Sequence, residues 1–215
     1  MSYDYSENIL VQESAGHLLV DELGWQVELA YNQEVLGENG TFGRSSYKDI
    51  LLVRYFQKAL RTLNPWITDA QVTEAQNTFE KHLSSASLMQ INEEKYAYIR
   101  DGIPVTEKKP NGQTEEKRAI IIDFQHPNDM ERNHFLAVKE MKIHGDLYRR
   151  RTDIVGFVNG IPLLFIELKK NSVDVQNAYT DNYTDYLDTI PQLFYYNAFL
   201  MLSNGVEAKV ATLGS

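Results

Sequence analysis

Cysteine is absent from the chain, which excludes disulfides and thiolate-bound metal and suits a reducing compartment. No apolar run approaches the roughly 18–20 residues that a membrane span needs. The polar opening Ser2-Tyr3-Asp4-Tyr5-Ser6-Glu7 has none of the features of a secretory signal. A cytoplasmic protein without membrane contact is the expectation. No GxxxxGK(S/T) loop occurs, so no ATPase motor is present in these residues. Positive charge is scarce as well, with 21 Lys and Arg against 30 Asp and Glu and a net charge of −9. Phosphate contacts from Lys and Arg supply most non-specific DNA affinity, so this balance disfavours a free-standing, tight DNA binder. It leaves room for a DNA-acting domain that another module loads onto its substrate.

What is present is the material of a soluble globular domain, 43% hydrophobic and 24% charged. The 215 residues fit one large domain with a substantial core. The most informative stretch is Asp153-Ile154-Val155-Gly156-Phe157-Val158-Asn159-Gly160-Ile161-Pro162-Leu163-Leu164-Phe165-Ile166-Glu167-Leu168-Lys169. It reads as two apolar strands joined by an Asn-Gly turn, a strong hairpin signal. Arms so continuously apolar are expected of strands buried on both faces. Charges at the tips of buried strands need a reason more than charges on a solvated face do. Alternation sends Glu167 and Lys169 one way and Leu168 the other. Two facing carboxylates suit a hard divalent cation such as Mg2+, which takes oxygen ligands and keeps waters for substrate and nucleophile. A lysine beside them can orient or deprotonate a water, or stabilise transition-state charge. In outline this is a phosphodiester-cleaving site.

The register raises a conflict. With a plain two-residue turn Val158 pairs with Ile161, and Asp153 then lies opposite Ile166. Glu167 would face the other layer, because a one-residue slip moves a whole side-chain set across the sheet. A joint site therefore predicts a bulge or a three-residue loop in this hairpin. Gly156 and Pro162 are the candidate positions.

Asp153, Glu167-Leu168-Lys169 and the arms between them resemble the nuclease motif written PD-(D/E)xK. The wider context runs from Lys142-Ile143-His144-Gly145-Asp146 through Arg151-Thr152-Asp153 to Phe165-Ile166-Glu167-Leu168-Lys169. It resembles the N-terminal endonuclease domain of the R (restriction and translocation) subunit of type I restriction-modification enzymes. So does Ile190-Pro191-Gln192-Leu193-Phe194-Tyr195-Tyr196-Asn197-Ala198-Phe199, followed by Leu202-Ser203-Asn204-Gly205. The resemblance spans roughly the whole chain and is best from Val138 to Ala211.

It implies one α/β domain of restriction-endonuclease-like type, a mixed, partly antiparallel sheet flanked by helices. A helical part covers about 1–100 and a nuclease core about 100–211. Asp153 and Glu167 would bind Mg2+ with the Leu168 carbonyl, and Lys169 would serve the attacking water. An acid from the first helix reaches the metal in many such nucleases, and Glu13 is the matching position, with Glu7 as substitute. The RecB-like branch places a Gln, then a Tyr four residues later, on the following helix. Tyr186 matches the Tyr, but Asn182 stands at the Gln position, with an amide of shorter reach that can contact DNA backbone or order the lysine. By the same resemblance the substrate is double-stranded DNA, cut without sequence choice. The chain would be a fragment of a longer polypeptide with a helicase-like, ATP-driven motor, partnered by methyltransferase and specificity subunits. Two other readings stand beside this one: a non-catalytic docking and coupling module with a nuclease fold, and a RecB-like nuclease acting on DNA ends.

Elsewhere the pattern predicts a helix from Ser6 to near Gly24 and a strand over Gln26–Ala30. Helices are expected at about 47–62 and 68–83, with Asp69 as a cap candidate, and at 86–100. Glu107 to Lys117 reads as an exposed hairpin tip. A solvated loop is favoured there over DNA contact by Lys108 and Lys109. Arg118–Phe124 and Phe135–Ile143 read as strands that form, with the 153–169 hairpin, a consecutive antiparallel set of four. Arg149, Arg150 and Arg151 either hold phosphates bidentately or form a salt-bridged surface cluster. His17 and His82 are not expected to bind metal. Residues 174–188 have helical spacing, Phe199–Leu202 reads as a buried strand, and Ala208–Ala211 as a short last one.

Overall fold

The computed structural model describes residues 7–214, and of residues 7–10, 177, 178, 180 and 181 the backbone only. Ser6, the expected helix start, lies outside the described residues, as does the Glu7 side chain. The chain begins with α1 (Glu7–Asp21), closed by bonds from the Gly24 and Trp25 amides to the Val20 and Leu19 carbonyls with Gly24 at φ +68°, and β1 (Gln26–Leu29). Three helices follow, α2 (Val53–Leu63), α3 (Asp69–Glu80) and α4 (Leu88–Asp101). The last two open with capping boxes, Thr68 with Gln71 and Ser87 with Gln90. Thr68, not Asp69, is therefore the cap of α3. The predicted helix start at 47 is also corrected. Asp49 accepts the Ser45 and Ser46 amides in a local turn, and the Leu52 amide is used by the Gly160 carbonyl, so helical bonding begins only at Val53.

The rest of the chain is mainly strands. β2 (Ile103–Lys108) and β3 (Thr114–Ala119) form the expected exposed hairpin, apart from the main sheet. Next come β4 (Phe135–Lys139), β5 (Lys142–His144), β6 (Arg149–Arg151), β7 (Ile154–Val158) and β8 (Ile161–Leu168). Residues 175–189 are helical but irregular: α5 (Val175–Asn177), a π-helical stretch Ala178–Tyr183, and α6 (Thr184–Thr189). β9 (Phe199–Ser203) and β10 (Ala208–Ala211) close the fold.

The six-stranded sheet has the order β1-β4-β7-β8-β9-β10. β4, β7 and β8 are antiparallel neighbours, β1 lies parallel to β4, and β9 parallel to β8. This is the mixed, partly antiparallel sheet flanked by helices that the resemblance implies. The consecutive antiparallel set of four is corrected, because Ile120 to Phe124 does not join the sheet. Its backbone is satisfied by asparagine side chains instead. Asn64 pairs with both the amide and the carbonyl of Ile120, Asn159 donates to the Ile121 carbonyl, and Asn133 accepts the Asp123 amide. Phe135 to Ile143 is likewise cut in two at Glu140, whose φ of +54° turns β5 out of the sheet to pair with β6.

β7 is buried along its whole length. Val155, Phe157 and Phe165 pack in the main core with Tyr183, Tyr186 and Phe194, while Ile154, Ile166 and Leu168 meet Leu19 of α1 on the opposite face. The turn between β7 and β8 has two left-handed residues, Asn159 at φ +52° and Gly160 at +80°, the geometry an Asn-Gly hairpin turn favours. Asn159 is 1% exposed and also donates to Asn133, while its own side-chain oxygen accepts the His134 amide. Asn159→Ala strains the left-handed backbone and leaves these buried groups unpaired. It is expected to cost about 2–4 kcal/mol in urea unfolding. A loss below ~1 kcal/mol would mean that water replaces the amide without penalty.

Candidate active site

The site is created by a fault in the β7–β8 ladder. Near the turn, Val158 pairs with Ile161 and Phe157 with Pro162. Beyond Gly156 the register shifts, so that Gly156 pairs with Leu164, Val155 with Phe165 and Ile154 with Ile166. Leu163 is the extra residue, a bulge on β8, and its carbonyl accepts from the Ala198 amide at 2.8 Å. The expected irregularity is thus present beside both predicted positions. One more step of the shifted register sets Asp153 opposite Glu167. Without the shift Asp153 would face Ile166. Gly156 allows the close approach, since a Cβ there would lie 2.9 Å from the Trp25 ring and from Leu164 Cβ.

Around the two carboxylates the contacts are specific. Asp153 accepts the Leu168 amide on Oδ2 at 2.7 Å and the Gln12 side-chain amide on Oδ1 at 2.8 Å. Glu167 is 2% exposed. Its Oε1 accepts from Asn182 Nδ2, and its Oε2 is buried with no hydrogen-bond partner among the described residues. Lys169 Nζ donates to Asn182 Oδ1 at 2.5 Å. Asn182 therefore ties the carboxylate to the ammonium, from within the π-helical stretch, a distortion often found at functional positions. The Tyr186 hydroxyl donates to the Arg151 carbonyl at 3.1 Å, which fixes α6 against the start of the hairpin.

Burial pushes both acids up. For Glu167, desolvation and the facing Asp153 carboxylate raise the pKa well above its ordinary value, against smaller opposing help from Lys169 and Asn182. Asp153 is raised by burial too, partly offset by the Leu168 amide, Gln12 and Lys169. An acid whose pKa rises on folding contributes stability that is complete below its unfolded value and is lost as pH climbs toward the folded one. Wild type is therefore expected to lose stability relative to Glu167→Gln as pH rises from about the ordinary glutamate value of 4.5. Thermal midpoints of the two proteins across pH check this, and a gap independent of pH would refute it.

Whether these residues suit a divalent cation is decided by their chemistry. Among the described residues no group of three or more His, Asp or Glu side chains is arranged to hold a metal. Two carboxylates, one with an unpartnered buried oxygen, do fit an ion of the Mg2+ type. Such an ion is usually bound through one or two carboxylates, with waters and substrate phosphate completing its shell.

The other predicted residues divide. Glu13 is not at the carboxylates' hydrogen bonds: it pairs with Lys139 at 2.7 Å, and its neighbour Gln12 is the α1 residue that holds Asp153. Gln12 was not predicted, because the expected residue type was an acid and nothing in the local pattern separates adjacent positions of α1. Arg150 is held in a two-pronged pair with Asp185 at 2.5 and 2.8 Å. Arg151 is exposed, 3.5 Å from Glu140 and stacked over Tyr31. His17 is exposed and His82 packs edge-on against Tyr195. Lys109 is paired with Glu115.

Comparison with known proteins adds an independent line. The model of the family described as "Type I restriction enzyme R protein N terminus" matches residues 4–214. The chain is similar to the type I restriction enzyme HindI endonuclease subunit of Haemophilus influenzae, 31% identical over 200 residues, covering 91% of this chain and 18% of that protein. A putative type I restriction enzyme endonuclease subunit, MjaIXP, of Methanocaldococcus jannaschii is 30% identical over 171 residues, covering 77% and 16%. One from Staphylococcus aureus strain COL is 25% identical over 111 residues, covering 52% and 11%. The chain spans at most 18% of the length of these relatives.

Proposed function

The chain belongs to the family of type I restriction enzyme R-protein N-terminal domains, and on that premise we propose that it is a Mg2+-dependent endonuclease domain cleaving double-stranded DNA. The observation that carries the reading is the bulge-shifted register that sets Asp153 opposite Glu167 and leaves Glu167 Oε2 unpartnered in a buried site. A structural hairpin gains nothing from two facing, desolvated carboxylates, whose mutual repulsion costs stability.

Asp153, Glu167 and the Leu168 carbonyl would hold the cation, which when bound supplies Lewis-acid polarisation of the scissile phosphate. Gln12 and the Leu168 amide orient Asp153. Asn182 holds Glu167 and the Lys169 ammonium in fixed relation. Lys169 orients the attacking water and stabilises negative charge that grows on the phosphate oxygens. None of these groups reads a base, so cleavage is without sequence choice of its own. Target sites would be supplied by an ATP-driven motor in the same, longer polypeptide and by methyltransferase and specificity subunits, in the cytoplasm. The test is supercoiled-plasmid cleavage by the full-length subunit in its complex, with Mg2+ and ATP, comparing wild type with Asp153→Ala and Lys169→Ala.

A further inference from the structure

The β5–β6 ribbon concentrates its basic side chains on one face. Pairing sets Lys142 opposite Arg151 and His144 opposite Arg149, and alternation puts these four on the same side. The reverse side carries Ile143, fully buried, and Arg150, already committed to Asp185. Like charges directly opposite each other destabilise a strand pair, so the Lys142–Arg151 pair costs stability unless an anion covers it. Compensation within the fold is thin. Glu140 lies 3.5 Å from Arg151, and Lys142 donates to the neutral Asn32 side chain at 3.2 Å. The concentration also runs against a chain of net charge −9.

The face is built as well as charged. Arg151 and Lys142 both sit over the Tyr31 ring, at 4.6 and 5.5 Å from its centre, which limits the freedom of both cations before any ligand arrives. With Tyr47 and Arg150, the four residues of this face line a cavity of about 410 Å³. Burial, together with Arg149, Arg44, Lys142 and Lys48, holds the His144 imidazole below its ordinary value, consistent with strong positive potential there. The ribbon leads straight into the site. Arg151 is two residues from Asp153, at most roughly 7 Å of extended chain, and the Glu140 amide donates to the Asp153 carbonyl.

We propose that this face of the ribbon, through Lys142, His144, Arg149 and Arg151, seats the phosphodiester backbone of a DNA duplex beside Asp153 and Glu167. The inference rests on the nuclease reading above and gives that site its substrate-holding surface. Planar guanidinium groups suit two-pronged phosphate contacts, and such contacts position a duplex without reading its sequence. Arg150 is excluded from the contact set by its pair with Asp185.

The experiment is equilibrium binding of a short fluorescent duplex to the 215-residue chain, without divalent cation, over a range of KCl concentrations. Lys142→Gln/Arg149→Gln/Arg151→Gln is expected to weaken binding about 10-fold or more at low salt and to reduce the slope of log K against log salt by ~2–3. Its thermal midpoint should equal or exceed that of wild type, since the Lys142–Arg151 like-charge pair is gone; a lower midpoint would mark the ribbon as structural. Lys58→Gln/Arg61→Gln/Lys81→Gln removes the same charge from exposed positions elsewhere and should leave the slope unchanged. Equal behaviour of the two triple variants overturns the proposal, as does a wild type that fails to bind at the lowest salt. Saturation of the face by pyrophosphate or ATP without duplex binding overturns it too, in favour of a free phosphate ligand. If binding depends on the ribbon while the wild-type complex never cuts DNA, the ribbon assignment stands and the nuclease reading falls.

Discussion

Asp153→Ala and Lys169→Ala, each introduced into the full-length subunit, are expected to lower plasmid cleavage on the order of 10³-fold or more while ATP hydrolysis and translocation continue. Asp153 is a joint with two attachments, the Leu168 amide and the Gln12 side chain, and it repels the Glu167 carboxylate it faces. Alanine removes the charge a divalent cation needs and the acceptor that fixes the end of β8. Lys169→Ala removes the ammonium next to Asn182 and leaves the backbone alone, because the Lys169 amide keeps its bond to the Ser203 carbonyl. The two variants therefore differ in stability. Asp153→Ala also relieves repulsion on Glu167, which should move that acid back toward its ordinary range. Cutting by both variants at the wild-type rate would mean that the hairpin is scaffold and that the chemistry lies elsewhere.

How far the sequence revealed this arrangement depends on how local each determinant is. The two strands, their Asn-Gly turn and the charged tips lie within seventeen consecutive residues. Strand alternation within that window lets Glu167 share a face with Asp153 only if one residue is extra. The bulge is legible there, but which residue is extruded is not. Leu163 is the one, because its carbonyl is taken by Ala198 on the approach to β9, a partner some thirty-five residues away in sequence. Ile120 to Phe124 has strong strand composition but is drawn out of the sheet by Asn64, Asn133 and Asn159. Each side chain mimics a backbone partner from a different part of the chain, and no periodicity encodes that. The place left beside β4 goes to β1 in parallel, a pairing across more than a hundred residues. Gln12 was hidden for a similar reason. A helix face is legible from spacing, but which of two adjacent polar residues meets a distant carboxylate depends on how the helix is rotated against the sheet.

Asn182 gives the second large effect, and it separates positioning from chemistry. Its amide spans Glu167 and Lys169, donating to one and accepting from the other. Hydrogen bonds to charged groups contribute about 1.5–3 kcal/mol each, so Asn182→Leu is expected to reduce cleavage roughly 10²–10³-fold. It also leaves Glu167 without a donor on either oxygen, since Oε2 has none to begin with. The loss of a stabilising donor should push the Glu167 pKa higher still, so the rising limb of the cleavage–pH profile should move to higher pH. A purely structural role would lower activity without moving that limb. Asn182→Gln is the complementary variant, since it restores the longer amide of the RecB-like pattern. The π-helical stretch Ala178–Tyr183 widens the turn that carries position 182, and the short asparagine still spans both groups from it. If the wide turn is what suits the shorter side chain, Asn182→Gln should retain the pH profile and recover most of the rate lost in Asn182→Leu. If Asn182→Gln is as poor as Asn182→Leu, the site is matched to asparagine alone. If Asn182→Leu cuts like wild type, the bridge between Glu167 and Lys169 contributes nothing to cleavage.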